Sequence, residues 1–149
     1  MQLWLKADAG ITTNAGGAVT NWADQSGNTN NAEQANDPQA PLYVAGAVNG
    51  LPAVQFDGSV TGSEADFLSV AHNPDILGTD NNNVSCFMLL KFADFGFFRT
   101  VWGKDDVAGL SKPMSYYSTL FDNGRLRSSR NFGADGINGG DNVITTPIP

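Results

Sequence analysis

The carboxylates are the first groups in this 149-residue chain that could do chemistry: 13 Asp but only Glu33 and Glu64. Cutting a glycosidic bond needs two carboxyl groups flanking it, about 5 Å apart for retention and farther apart for inversion. Glu64-Ala65-Asp66 has the alternate spacing that would place two carboxyls on one face of a strand. It follows Asp57-Gly58 in a Gly- and Ser-rich stretch, with no apolar strand around it to raise a carboxyl pKa, so it reads as a solvated loop. The single His72 sits in His72-Asn73-Pro74-Asp75, a turn-like run in which a capping or solvated imidazole fits better than a general base. Cys86 lies in an apolar run without an activating neighbour and reads as a buried structural thiol. No Ser-His-Asp order, zinc-ligand spacing or phosphate loop stands out.

Two other chemistries fit the residue types better. A hard cation such as Ca²⁺ needs several oxygen ligands, commonly Asp carboxylates, Asn amides and loop carbonyls. Asp24 and Asn28 in one loop, and Asp57 and Asp66 in another, are the candidate ligands; Asp105-Asp106 is a third acidic loop. The alternative is that these residues only cap turns. Sugar recognition needs an aromatic face and polar groups to fix hydroxyls. Trp22 precedes a polar loop, where its ring would be exposed; a place in the core is the competing reading. Tyr116 and Tyr117 are adjacent on a strand, so one should face outward. Arg125, Arg127 and Arg130 lie on the next strand, where a stacking patch would form. Ordinary cross-strand Tyr–Arg packing is the competing reading.

The formal charge is −7 with 8 Lys plus Arg. That balance argues against a nucleic-acid partner, whose phosphates must be neutralised by Lys and Arg. It also disfavours anionic membrane surfaces. No apolar run is long enough to span a bilayer. The start, Met1-Gln2-Leu3-Trp4-Leu5-Lys6, lacks the organisation of a signal peptide, so export rests on composition alone. The 17 Gly, with many Asn and Thr, favour turns and strands over helices. The preference for Asp over Glu points to loops in the same way.

The elements that must position these residues are short strands between turn signals. Leu3–Leu5, Val19–Ala23, Ala53–Phe56, Phe67–Val70 and Phe97–Lys104 are expected strands. Val84–Phe92 is apolar on both parities, as a central strand covered on both faces would be. Asn49-Gly50 is a turn signal. Ser115–Phe121 and Arg125–Ser129 flank Asp122-Asn123-Gly124 as a hairpin, and Pro74–Leu77 suggests a helical turn. The pattern implies an all-β chain folded as an antiparallel β-sandwich.

Several motifs occur in a familiar order: Leu3-Trp4-Leu5-Lys6-Ala7-Asp8, Trp22-Ala23-Asp24-Gln25-Ser26-Gly27-Asn28, Asn49-Gly50-Leu51-Pro52-Ala53-Val54-Gln55-Phe56-Asp57-Gly58, Phe67-Leu68-Ser69-Val70 and Val101-Trp102-Gly103-Lys104. In order and spacing they resemble bacterial laminin G-like jelly-roll domains of the concanavalin A-like lectin/glucanase superfamily, from Leu3 to about Arg130. The resemblance implies a jelly-roll sandwich, calcium at loops such as those above, and Trp4 and Trp102 in the core. Such domains continue with further strands where this chain ends at Thr146-Pro147-Ile148-Pro149. The expectation is therefore one domain over 1–149, incomplete at its C-terminus, that self-associates or takes its missing strands from a partner chain.

The functional expectation is a non-catalytic carbohydrate-binding or adhesive module of an extracellular or cell-surface protein. Its partner would be a polysaccharide or glycan, with Ca²⁺ as a stabilising ion. A structural or assembly subunit of a surface filament or phage tail is the second expectation, and a polysaccharide hydrolase or lyase the third.

Overall fold

The structure is a computed structural model that describes residues 1–59, 64–73, 75–76, 85–93, 99–105, 115–122, 125–129 and 142–144. Its described elements are antiparallel strands and a single short 3₁₀ turn at Asp37–Gln39. The chain is thus mostly β, as expected. No helix among the described residues is long and apolar enough to cross a membrane. The chain divides into two compact units, Met1–Ile76 and Leu77–Pro149.

In the first unit, β1 (Ile11–Thr13), β2 (Val19–Trp22), β3 (Ala32–Glu33) and β6 (Ser69–Val70) form a four-stranded sheet in the order β1-β2-β3-β6. The β1–β2 connection is made by Asn14. Its Oδ1 accepts the N–H groups of Gly16 and Ala18, both at 2.9 Å, a local bond that Asn side chains offer to turns. β4 (Leu42–Val48) and β5 (Leu51–Gln55) pair separately as a hairpin. Its two connecting residues, Asn49 and Gly50, both take positive φ, 51° and 81°, as a tight primed turn requires. The hairpin is tied to the four-stranded sheet by an Ala18–Leu42 bridge, with Val19 N–H donating to Pro41 O at 2.7 Å and Tyr43 N–H to Gly17 O at 3.0 Å.

The core under this junction is built from small side chains: Ala18, Val19, Ala32, Ala40 and Pro41. So small a core yields little burial energy, since stabilisation scales with the apolar area removed from water. Hydrogen-bonded loops therefore carry much of the positioning in this unit.

Among its described residues the second unit has an antiparallel sheet ordered β10-β9-β8-β7, from β7 (Arg99–Asp105), β8 (Ser115–Asp122), β9 (Arg125–Ser129) and β10 (Asn142–Ile144). Asp122 pairs with Arg125. The expected hairpin is present, although its turn residues Asn123 and Gly124 lie outside the described residues.

Four expectations, the buried Cys86 thiol among them, are corrected. Leu3–Leu5 is not a strand. Trp4 N–H donates to the Asp24 carboxylate at 2.8 Å and Trp4 O accepts from Gln25 N–H at 2.8 Å, so the segment is held by a loop instead of a strand ladder. Trp4 is not in the core either. It is 44% exposed, with Lys6 Nζ 5.4 Å from its ring centroid. The described part of Val84–Phe92 is not a strand. Phe87 and Leu89 are 94% and 98% exposed, and Cys86 is exposed with them. An apolar run becomes a central strand only when neighbours on both edges accept its hydrogen bonds, and no described strand pairs with this one.

Candidate functional site

The loop between β2 and β3 is a hydrogen-bonded polar assembly. Asp24 organises it. One carboxylate oxygen accepts the N–H groups of Trp4 at 2.8 Å and Ser26 at 2.9 Å. The other accepts Ser26 Oγ–H at 2.7 Å and Asn30 N–H at 3.1 Å. Burial pushes this carboxyl upward, but the hydrogen bonds from Ser26, Trp4 and Asn30 prevail. Together they hold its pKa at about 2 against an ordinary 3.8, because each donor favours the charged form.

Asn28 and Asn30 extend the assembly to the N-terminal segment. Asn28 Nδ2 donates to Met1 O at 3.0 Å and Ser26 Oγ at 3.0 Å. Asn30 Nδ2 donates to Gln2 O at 2.7 Å. Gly10 closes the other side. Its φ is +74°, Ala23 N–H donates to its carbonyl at 2.8 Å, and a Cβ there would lie 2.9 Å from Ala23 Cβ and 2.6 Å from Gln25 Nε2. Only glycine combines that backbone conformation with that approach.

The assembly opens into a polar cleft of about 310 Å³, lined by Asn28, Thr29, Asn30, Asn31, Glu33, Ala71, His72 and Asn73. Sheet register brings these residues together. Ala32 pairs with Val70 and Glu33 with Ser69. In an antiparallel pair, the residues just before β3 therefore adjoin those just after β6. Asn73 locks the two sides, with Nδ2 donating to Asn30 Oδ1 at 2.9 Å. Asn73 Oδ1 also accepts Asp75 N–H at 2.9 Å, and Ile76 N–H donates to Asn73 O at 3.1 Å. Asp75 and Ile76 thus turn about Asn73, the rest of the expected helical turn, Pro74 and Leu77, lies outside the described residues, and His72 is exposed at the cleft. Asn30 is 7% exposed and forms the floor. Asn31 accepts Asp24 N–H at 3.0 Å through Oδ1, which leaves its amino group for a guest. Thr29 holds a φ of +59°, uncommon for a residue bearing a Cβ.

The sequence-derived candidates fall in different places. Asp24 and Asn28 share the loop just described. Asp57 and Asp66 are brought together elsewhere: Asp57 N–H donates to Asp66 Oδ2 at 2.8 Å, and Ser59 N–H to Asp57 Oδ1 at 2.8 Å. Among the described residues, no three His, Cys, Asp or Glu side chains converge as a metal site would require. Trp22 is half-buried and its Nε1–H donates to Lys6 O at 2.7 Å, so its polar edge serves the fold. In the backbone register Tyr117 lies opposite Lys104, Arg127 opposite Leu120 and Arg125 opposite Asp122. Tyr116 precedes Tyr117 on β8. The side chains of these four residues, and all of Asp106 and Arg130, lie outside the described residues.

The cleft was only partly legible from sequence. The loop from Asp24 to Asn28 stood out as polar, and His72-Asn73 as a turn. Their juxtaposition depends on β3–β6 pairing across more than thirty positions, which no local pattern announces. No protein-family model, curated protein or solved structure matches this chain.

Proposed function

We propose that this chain is a non-catalytic module that binds a neutral carbohydrate in the cleft between the β2–β3 loop and the residues after β6. The carrying observation is the cleft lining itself: carboxamides from Asn28, Asn30, Asn31 and Asn73, with Thr29, Glu33 and His72 at its edge. Asn28, Asn30 and Asn73 use their amide donors to shape the cleft, and Asn31, whose Oδ1 alone is engaged, presents its amino group to a sugar hydroxyl, which accepts as well as donates. Glu33 adds an acceptor, and the exposed His72 ring offers a face for sugar C–H groups. The floor is pre-set by the Asn73–Asn30–Gln2 chain of hydrogen bonds, so little ordering remains for binding to impose. The laminin G-like motif order supports the same reading, that of a module of a secreted or surface protein. Calcium, on this reading, belongs at Asp57 and Asp66.

Calorimetric titration with a panel of neutral oligosaccharides tests the proposal. Saturable heat is expected with at least one member, reduced roughly tenfold or more in affinity by Asn31→Ala combined with Glu33→Ala, since lost hydrogen bonds to a ligand cost about 0.5–1.5 kcal/mol each. Undiminished affinity in that double variant, or no heat from any glycan, would sink the idea.

A specific observation favours a second reading, an assembly subunit. Leu51, Phe56, Phe87 and Leu89 are exposed, and open strand edges beside apolar surface are templates for pairing with another chain. Concentration-dependent mass in light scattering, without glycan binding, would favour it.

A further inference from the structure

We propose that Asn49-Gly50 is a self-modification site, where Asn49 converts to aspartate or isoaspartate through a cyclic imide closed on the Gly50 backbone nitrogen. These two residues form the whole connection between β4 and β5, because Val48 pairs with Leu51. Both are exposed, and a Cβ built on Gly50 would meet nothing within 4 Å. The attacking nitrogen thus belongs to an exposed residue that has no side chain of its own to shield it.

The step balances with water as the co-reactant. Base in solution removes the Gly50 N–H proton, and the nitrogen attacks Asn49 Cγ. The Cγ–Nδ2 bond breaks and ammonia leaves, taking up a proton from solvent. Water then opens the imide. Attack at Cγ returns a normal backbone with an Asp side chain; attack at the Asn49 main-chain carbonyl leaves the backbone running through Cγ as isoaspartate.

The cleft asparagines contrast with Asn49. Asn28, Asn30 and Asn31 are each followed by a residue bearing a Cβ, and Asn73 is followed by Pro74, which has no N–H to lose. The amides of Asn28, Asn30 and Asn73 are also held as donors. The consequence at the hairpin is structural. A two-residue turn sets strand register, and one added backbone carbon breaks the Val48–Leu51 pairing. The site is separate from the carbohydrate cleft, and the inference stands whether or not that cleft binds sugar.

The test is incubation of the full chain in mildly alkaline buffer, followed by peptide-resolved mass spectrometry over time, with enzymatic methylation to score isoaspartate. Peptide resolution separates this site from the other Asn-Gly pairs, Asn123-Gly124 and Asn138-Gly139. Asn49 should gain the acid form several-fold faster than Asn28, Asn30 or Asn31. In Asn49→Gly, which keeps the left-handed turn, the β4–β5 peptide should hold its mass. Conversion at Asn49 no faster than at the cleft asparagines in the wild-type chain would overturn the proposal, and that comparison does not depend on the variant folding.

Discussion

The Asp24 loop and the Asp57–Asp66 loop look alike in sequence, yet the fold uses them differently. Asp24 is surrounded: four donors from three residues converge on its two oxygens. Asp57 and Asp66 are joined in series, the Asp66 carboxylate accepting the N–H of Asp57 and the Asp57 carboxylate that of Ser59. An acid that already satisfies its lone pairs with protein donors is a structural hub, and a cation there would have to displace them. An acid with capacity left can still take a ligand. Residue type is therefore a poor guide to which aspartates have their lone pairs filled by the protein, and donor geometry is a better one.

The largest effect that would break this comparison is at Asp24 itself. Asp24→Ala orphans four donors and should cost about 2–3 kcal/mol, read as a lower urea midpoint, because unmade hydrogen bonds to a charged group are expensive. Asp57→Ala should stay within about 0.5 kcal/mol, as an exposed substitution. Equal losses would erase the distinction. Gly10→Ala should follow, at about 1–3 kcal/mol, from the positive φ and the approach of Ala23. Val19→Ala should remove about 1–2 kcal/mol, because the fully buried Val19 supplies much of a small core.

The pH response sharpens the comparison further. Asp24 has a folded pKa of about 2, below its ordinary 3.8. Its contribution is fully present above the unfolded value and lost as pH falls through the folded one. The expected loss between those two values is about 1 kcal/mol after discounting for solvent screening. Denaturant midpoints measured across that range should decline in the wild type and flatten in Asp24→Asn. A smaller effect concerns calcium. Added Ca²⁺ should raise the thermal midpoint modestly by mass action. That rise should survive Asp24→Asn and disappear in Asp57→Asn with Asp66→Asn, and chelator should reverse it. A rise abolished by Asp24→Asn alone would return the ion to the first loop.

Sequence determined whatever is decided within a few residues. The hairpin over Ser115–Ser129 and the Asn49-Gly50 turn were legible because an Asn-Gly pair between strand-like runs is a local turn signal. The β2 strand followed from equally local rules. Tertiary structure decided what depends on distant partners. Leu3–Leu5 has a strand's composition, yet the Asp24 carboxylate captures the Trp4 N–H, and a charged acceptor outcompetes an absent strand. Val84–Phe92 has a central strand's pattern, yet a strand needs neighbours, and its own residues cannot supply them. The cleft belongs to the same class. Its asparagines are visible in the sequence, but only the antiparallel pairing of Ala32 with Val70 and Glu33 with Ser69 sets Asn28–Asn31 beside His72 and Asn73, because sheet hydrogen bonds join residues without regard to their separation along the chain.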